Sequence, residues 1–271
     1  MSSDRAGEAW NRESLEELLA GRRLGHPLHL LESAESTNLE ALKLAAKGAP
    51  EGTVVIADEQ TAGRGRLNRS WHSPPGCNLY LSVVLRPAVE PAAAPQLTLL
   101  AGAAVAETLS RWCPGRVGLK WPNDLMIRDR KVCGILTELR ISGAGVSSVV
   151  VGIGINANIR RDQLDPAFRD AATSLAEETG QVIDRAALAA ALLMELEVLY
   201  DRWLDEGFDA VRPLWLRHSV LTGKRIRVAF QDEVEVGTAV GLDVDGALLL
   251  EESPGVLKRV LAGDATILKE S

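Results

Sequence analysis

Apolar positions recur at helical spacing in several stretches, with strand-like runs between them. Residues 13–20, Glu-Ser-Leu-Glu-Glu-Leu-Leu-Ala, predict a short helix. Thr37-Asn38-Leu39-Glu40 has capping-box spacing, and Leu39, Leu42 and Ala46 continue one face until Gly48. Strand patterns follow at 53–57 and 78–85, then a helical stretch at 96–110. Residues 117–121 read as a strand that turns at Pro122-Asn123-Asp124. Residues 125–139 read as a hairpin turning near Arg128-Asp129-Arg130. Ser142-Gly143-Ala144-Gly145 marks another turn, and 146–156 a further strand.

The texture changes near residue 184. Leu188, Leu192, Leu196, Leu199 and Trp203 share one helical face, and a second helix is predicted over 208–218. After Leu221-Thr222-Gly223 the chain becomes short strands and tight turns, including the hairpin pair Asp245-Gly246. Strands and helices do not alternate one for one. The expected class is therefore α+β: a mixed β-sheet with flanking helices over 1–219, with 1–25 as a helical extension, and a small β-barrel over 220–271.

Composition narrows the function. A chain of 271 residues, 46% hydrophobic and 25% charged, has enough apolar material for a large core without covalent staples. Cys77, Cys113 and Cys133 form no CxxC pair, which argues against a disulfide framework or zinc site and for a cytoplasmic location. The polar start, MSSDRAGEAWNRES, has no leader-like apolar run, and no window suggests a membrane span. A net charge of −7 disfavours nucleic acid as the main partner.

Three constellations carry candidate chemistry. The first runs from Gln60 to Trp71 and contains Gly63-Arg64-Gly65-Arg66 and Arg69. Glycine lets backbone approach a ligand closely, arginine grips carboxylate or phosphate, and tryptophan offers a flat face. By itself the segment reads equally as a solvated turn; an RNA-binding Arg-Gly segment takes a smaller share, because such segments are usually repeated and disordered and this one is single and flanked by strand patterns. The second is Lys120-Trp121-Pro122-Asn123-Asp124 with Arg130-Lys131 and Gly134. A lysine heading an apolar strand needs an anionic partner if buried. The bland alternative is a hairpin with a charged tip. The third is Gly152-Ile153-Gly154-Ile155-Asn156, whose alternating glycines leave one strand face bare. That face suits either a flat ligand or a closely packed helix. No GxxxxGK[ST] loop, GxSxG elbow or HExxH pair is present, and His26 and His29 are expected to be surface or packing residues.

Together with Glu35-Ser36-Thr37-Asn38, these segments resemble, in order and spacing, the biotin protein ligase family, over residues 30–270. The resemblance implies a biotin/lipoate ligase-like catalytic domain, an SH3-like C-terminal barrel, and ATP and biotin as substrates with Mg2+. Lipoate ligase is the nearest alternative. It also implies transfer of biotin to a lysine of a biotin carboxyl carrier protein, by a monomer or homodimer. Only about 30 residues precede the core, so the short form without a DNA-binding module or repressor role is expected. By the same resemblance Ser36, Thr37, Asn38, Gln60, Gly63, Arg64, Lys131, Gly134 and Gly154 bind biotin. Arg64, Arg66, Arg69, Trp71, Lys120, Asn123, Lys131 and Asn156 bind ATP or the adenylate. Arg66, Lys131 and Asp124 are the catalytic candidates, with Asp124 orienting the acceptor amine. Residues 61–71 are expected to be mobile without ligand and ordered over the intermediate.

Overall fold

Alternation along the central strands decides the architecture. The computed structural model describes residues 10–142 and 145–268. Its larger sheet contains β1 (Leu28–Ala34), β2 (Val54–Gln60), β3 (Leu79–Leu85), β4 (Val117–Lys120), β5 (Asp124–Ile127), β6 (Arg130–Ser142) and β7 (Gly145–Ile155). The spatial order is β1-β2-β3-β7-β6-β5-β4. Only β1 and β2 are parallel; every other neighbouring pair is antiparallel, so the sheet is mixed as expected. Residues 143 and 144 of the predicted Ser142–Gly145 turn lie outside the described residues.

One sheet face is covered by two long helices, α3 (Ala94–Ser110) and α5 (Arg185–Glu206). Leu81, Val83, Ile135, Val151 and Ile153 pack there with Leu100 of α3 and Leu192 and Leu196 of α5. Each fully buried side chain of this size contributes about 1.5–3 kcal/mol relative to exposure. The opposite face is only partly covered. There α2 (Thr37–Ala46) lays Ala41 and Ala45 on Val55, Val84 and Val150. The rest of that face is left for the site.

Sequence and structure differ instructively at α2. The helix begins one residue early, with Ser36 as N-cap, and Ser36 makes no side-chain capping bond. The Thr37 hydroxyl turns instead toward Gln60 and Ser82. A local helix signal has been diverted to a tertiary polar contact. The pattern also missed β1, an edge strand without clean polar–apolar alternation. The predicted helix over 208–218 divides into a 3₁₀ turn at Phe208–Ala210 and α6 (Arg212–His218). The first helix, α1 (Arg12–Leu18), is capped by Asn11, whose Oδ1 accepts from the Ser14 amide. A short helix, α4 (Leu175–Thr179), follows the segment after β7.

The stretch Pro91–Ser110 is long and apolar enough to cross a membrane by length and composition, yet 67% of its 18-residue window is buried inside the fold. It is the helix that seals the sheet.

The C-terminal strands are β8 (Arg225–Phe230), β9 (Glu233–Leu242), β10 (Leu248–Ser253), β11 (Val256–Val260) and β12 (Asp264–Ile267). They form a five-stranded antiparallel sheet in the order β11-β10-β9-β8-β12. Gly246, in the predicted Asp245-Gly246 turn, has φ 90°, a conformation glycine adopts at no steric cost. Leu221, Ile226, Val228 and Leu248 join the same apolar cluster as the larger sheet. The junction is tied by the Val220 amide donating to the Leu119 carbonyl at 2.9 Å. This packing brings Asp264, at the start of β12, to the mouth of the cavity described next.

Candidate active site

The floor of the site is bare backbone. On the half-open sheet face, Gly134 of β6 stands opposite Gly154 of β7, and Leu136 opposite Gly152. A Cβ at Gly154 would lie 2.6 Å from the Trp71 indole nitrogen, and one at Gly152 only 1.9 Å from Asn38 Oδ1. A side chain at either position would displace Trp71 or Asn38. The alternating glycines are thus a close-approach surface, with Trp71 resting on one and Asn38 on the other. The Trp71 Nε1–H is buried and has no acceptor among the described residues. Leaving such a group unmatched costs about 1–3 kcal/mol, so this spot favours a ligand that brings an acceptor.

At one end of the floor lies a connected polar network. Gln60 Oε1 accepts from the Thr37 amide at 2.9 Å, and Gln60 Nε2 donates to Ser73 Oγ at 2.9 Å. Ser82, fully buried on β3, lies 2.8 Å from Thr37 Oγ1 and 2.7 Å from Asn38 Oδ1. Asn38 Nδ2 donates to the Leu136 carbonyl at 3.1 Å and to Glu138 Oε2 at 2.8 Å. Glu138 Oε1 in turn accepts from Arg64 Nη2 at 2.7 Å. Ser36, Thr37 and Asn38 are each at most 4% exposed, so their polar atoms serve the network and the cavity rather than bulk water.

At the other end cations gather. Lys131 Nζ lies 2.6 Å from Asp124 Oδ1 and 5.3 Å from the centre of the Trp71 ring. The anionic partner anticipated for Lys131 is therefore Asp124, across the β5–β6 hairpin. Lys120 pairs with Asp124 only through the backbone register of β4 and β5. Asn123 Nδ2 donates to the Ile135 carbonyl at 2.8 Å, while its Oδ1 accepts from Arg66 Nη1 at 3.1 Å. Arg66 also reaches the Gly263 carbonyl and Asp264, and Arg69 pairs with Asp264 from the same side. Burial lowers the Arg66 pKa from its ordinary value, with Asp264 and Asp124 opposing that shift, and the group stays a cation.

The arginine segment that supplies these groups folds back on itself. Gly65 donates to the Arg69 carbonyl at 2.7 Å, and Trp71 to the Gly63 carbonyl at 2.8 Å. A Cβ on Gly63 would meet the Trp71 carbonyl at 2.4 Å, so the segment folds back on itself only with glycine there. At its tip Leu67 and Asn68 adopt φ of 53° and 57°, and Leu67 is exposed.

All the residues expected to bind ligand or to catalyse line one cavity of about 840 Å³, whereas Arg130 of the second constellation lies outside it and pairs with Glu178 at 2.6 Å. Asn156 lines the cavity with its Nδ2 already committed to the Thr173 carbonyl at 3.0 Å. Sequence reading missed four contributors. Ser82 leaves a signal, a polar residue inside the apolar run Leu-Tyr-Leu-Ser-Val-Val-Leu. Glu138 leaves a weaker one, a charge inside a strand. Ser73 and Asp264 leave none, because only tertiary packing brings them in.

The chain is similar to known proteins in sequence and in fold. The sequence model of the Biotin/lipoate A/B protein ligase family matches residues 30–156, and that of the Biotin protein ligase C terminal domain matches 221–267. The biotin--[acetyl-CoA-carboxylase] ligase of Mycobacterium tuberculosis is 34% identical, covering 98% of each chain. That of Paracoccus denitrificans is 38% identical over 83% of this chain and 95% of its own. The bifunctional ligase/repressor BirA of Bacillus spizizenii is 39% identical over 89% of this chain and 74% of its own. Among solved structures, the biotin protein ligase from Aquifex aeolicus, in complex with biotin and ATP, superposes with a TM-score of 0.75 at 29% identity. The match covers 90% of this chain and 100% of that one. With a shared fold, both domain signatures and full-length relatives above 30% identity, the chain belongs to the biotin protein ligase family.

Proposed function

We propose that this chain activates biotin with ATP and transfers it to a lysine of a biotin carboxyl carrier protein. The observation that carries this reading is one cavity with a hydrogen-bonding end, a cationic end and a glycine floor between them. A molecule with a small polar head and a carboxylate tail fits that polarity.

Biotin's carboxylate attacks the α-phosphorus of ATP, giving biotinoyl-AMP and releasing pyrophosphate. Both reactants are anions, and the transition state concentrates negative charge. Preorganised cations are the remedy. Lys131, held by Asp124, and Arg66, held by Asn123 and Asp264, supply them. Arg64, Arg69 and Lys120 add positive charge around the cavity. Ser36, Thr37, Asn38 and Gln60 receive the ureido head. Trp71, Asn123 and Asn156 border the nucleotide.

In the second step the acceptor lysine's neutral amine attacks the acyl carbonyl and AMP leaves. Asp124, already beside one ammonium, is placed to orient another and take its proton. Loop 61–71 shields the anhydride from water. Magnesium would arrive with the triphosphate, a ligand set that needs only one or two protein carboxylates. Asp124 and Asp264 are the pocket carboxylates nearest the cations. Among the described residues no cluster of three His, Cys, Asp or Glu could hold a metal by itself. The three free, buried cysteines suit a reducing cytoplasm.

The test is exchange of labelled pyrophosphate into ATP with biotin, with lipoate and with no acid. Exchange that requires biotin is expected. Exchange with lipoate alone would keep the chemistry and overturn the substrate, and exchange with neither would overturn the reading.

A further inference from the structure

The polar network ends in a group that no step above has used. On β6 the positions facing the site are Gly134, Leu136 and Glu138, in alternating register. Two are backbone floor and apolar wall. The third is a carboxylate that divides its oxygens between two donors from distant parts of the chain. Oε2 accepts from Asn38 on α2, and Oε1 accepts from Arg64 of the arginine loop. We propose that Glu138 is a positioning residue for biotin: it fixes the direction of the buried hydrogen-bond chain so that the Thr37 hydroxyl accepts from the ligand, and it holds Arg64 over the same end of the cavity.

The direction follows from counting protons. An ionised carboxylate only accepts, and so does the Leu136 carbonyl. The atom of Asn38 facing both must therefore be its NH2, which sets its Oδ1 toward Ser82. Ser82 has a single hydroxyl proton, and Asn38 Oδ1, 2.7 Å away, takes it. Ser82 can then only accept, and the Thr37 proton goes either to Ser82, 2.8 Å away, or to Gln60 Oε1, 3.2 Å away, in both cases staying within the network. Gln60 Oε1, which receives the Thr37 amide, is likewise an acceptor. Thr37 and Gln60 both line the cavity, and both now offer lone pairs to it. The end of the pocket is polarised to receive N–H donors, which a ureido ring has and a dithiolane ring lacks. A site built to accept from a ligand N–H discriminates strongly against an analogue without it, because its own groups would be left unmatched.

Only an acceptor at both ends serves this arrangement. In Glu138→Gln one end becomes a donor. Facing Arg64, it would repel the guanidinium; facing Asn38, it would oppose the NH2. Either way a charge-assisted bond is lost and one arm of the network is released.

This inference rests on reading the cavity as the biotin and ATP site, and one assay separates the two. In biotin-dependent pyrophosphate exchange, Glu138→Gln should raise the biotin KM by about tenfold to a hundredfold, with the ATP KM and kcat each within about threefold. An unchanged biotin KM, or a fall in kcat alone, would overturn the role of Glu138 while leaving the function intact. Absence of biotin-dependent exchange in the unaltered chain would sink the functional reading itself. Should Glu138→Gln fail to fold, as read by circular dichroism and melting, Ser82→Ala breaks the same chain one link further in. It must raise the biotin KM in the same direction, and an unchanged value there would equally overturn the proposal.

Discussion

The two faces of the central sheet are built from the same strands and follow opposite rules. Toward α3 and α5, β3, β6 and β7 present Leu81, Val83, Ile135, Val151 and Ile153, all at most 2% exposed. Toward the cavity the intervening positions are Ser82, Gly134, Glu138, Gly152 and Gly154. A strand alternates its side chains by geometry, so one sequence serves a stability surface and a chemistry surface at the same time. The first face wins free energy by burial. The second forgoes burial, keeps backbone bare and spends its polar groups on one another and on the ligand. Changes on one face should therefore alter catalysis and those on the other stability, with little exchange between the two.

The largest effect should come from the chemical face. Lys131→Ala removes the cation nearest Asp124 and Trp71. Pyrophosphate exchange should fall by about a hundredfold to a thousandfold, the usual loss when one preorganised charge-stabilising group is deleted. The melting temperature should stay close to that of the parent, since Lys131 is partly exposed and lies at the start of its strand. A comparable loss of stability would blur the distinction between the faces.

The reverse experiment is Ile153→Ala, one residue away from Gly154 on the same strand but facing α3 and α5. It should cost about 2–5 kcal/mol of unfolding free energy in denaturant titration. The KM values of the surviving folded enzyme should be unaltered. Changed KM values would mean that strain passes through β7 from one face to the other.

A smaller effect tests how the C-terminal sheet enters the chemistry. Asp264→Asn keeps the shape but weakens the grip on Arg66 and Arg69. The ATP KM should rise about tenfold, the scale of one charge-assisted hydrogen bond, with the biotin KM unaltered. Equal shifts in both would assign Asp264 to general stability.

The same contrast explains what the sequence disclosed. Helices α3 and α5 were legible because their apolar positions repeat with the period of a buried helix. Strands β3 and β7 were legible as dense apolar runs. Gly152 and Gly154 stood out because glycine in a strand has no local reason to be there. Groups that meet only after folding were much less visible. Asp264 is nearly 200 positions from Arg66, and nothing near it hints at an arginine partner. Glu138 sits in a strand where a half-exposed charge is ordinary. The capping-box spacing at Thr37 was misread for a related reason: its hydroxyl serves a neighbour 45 positions away, a contact that local spacing cannot express.

The mildest test concerns a polar contact on the apolar face. Thr98 Oγ1 of α3 lies 2.8 Å from Thr137 Oγ1 of β6, the one residue of β6 between Leu136 and Glu138. It resembles the Ser82–Thr37 contact in chemistry and length, yet it belongs to the packing side. Thr137→Val removes one hydroxyl, adds a methyl and leaves the Thr98 hydroxyl without that partner. The loss should be about 1 kcal/mol in unfolding free energy, because a net intramolecular hydrogen bond between neutral groups is worth about that much. The double change, with Thr98→Val as well, should recover part of it, since two apolar groups of similar shape leave nothing unmatched. Neither variant should alter the biotin or ATP KM. Ser82→Ala, which deletes a hydroxyl at a fully buried position on the other face, should alter the biotin KM. If the threonine pair moved substrate kinetics as much as the serine does, the separation of the faces would fail, and position relative to the sheet would no longer predict what a buried hydroxyl is for.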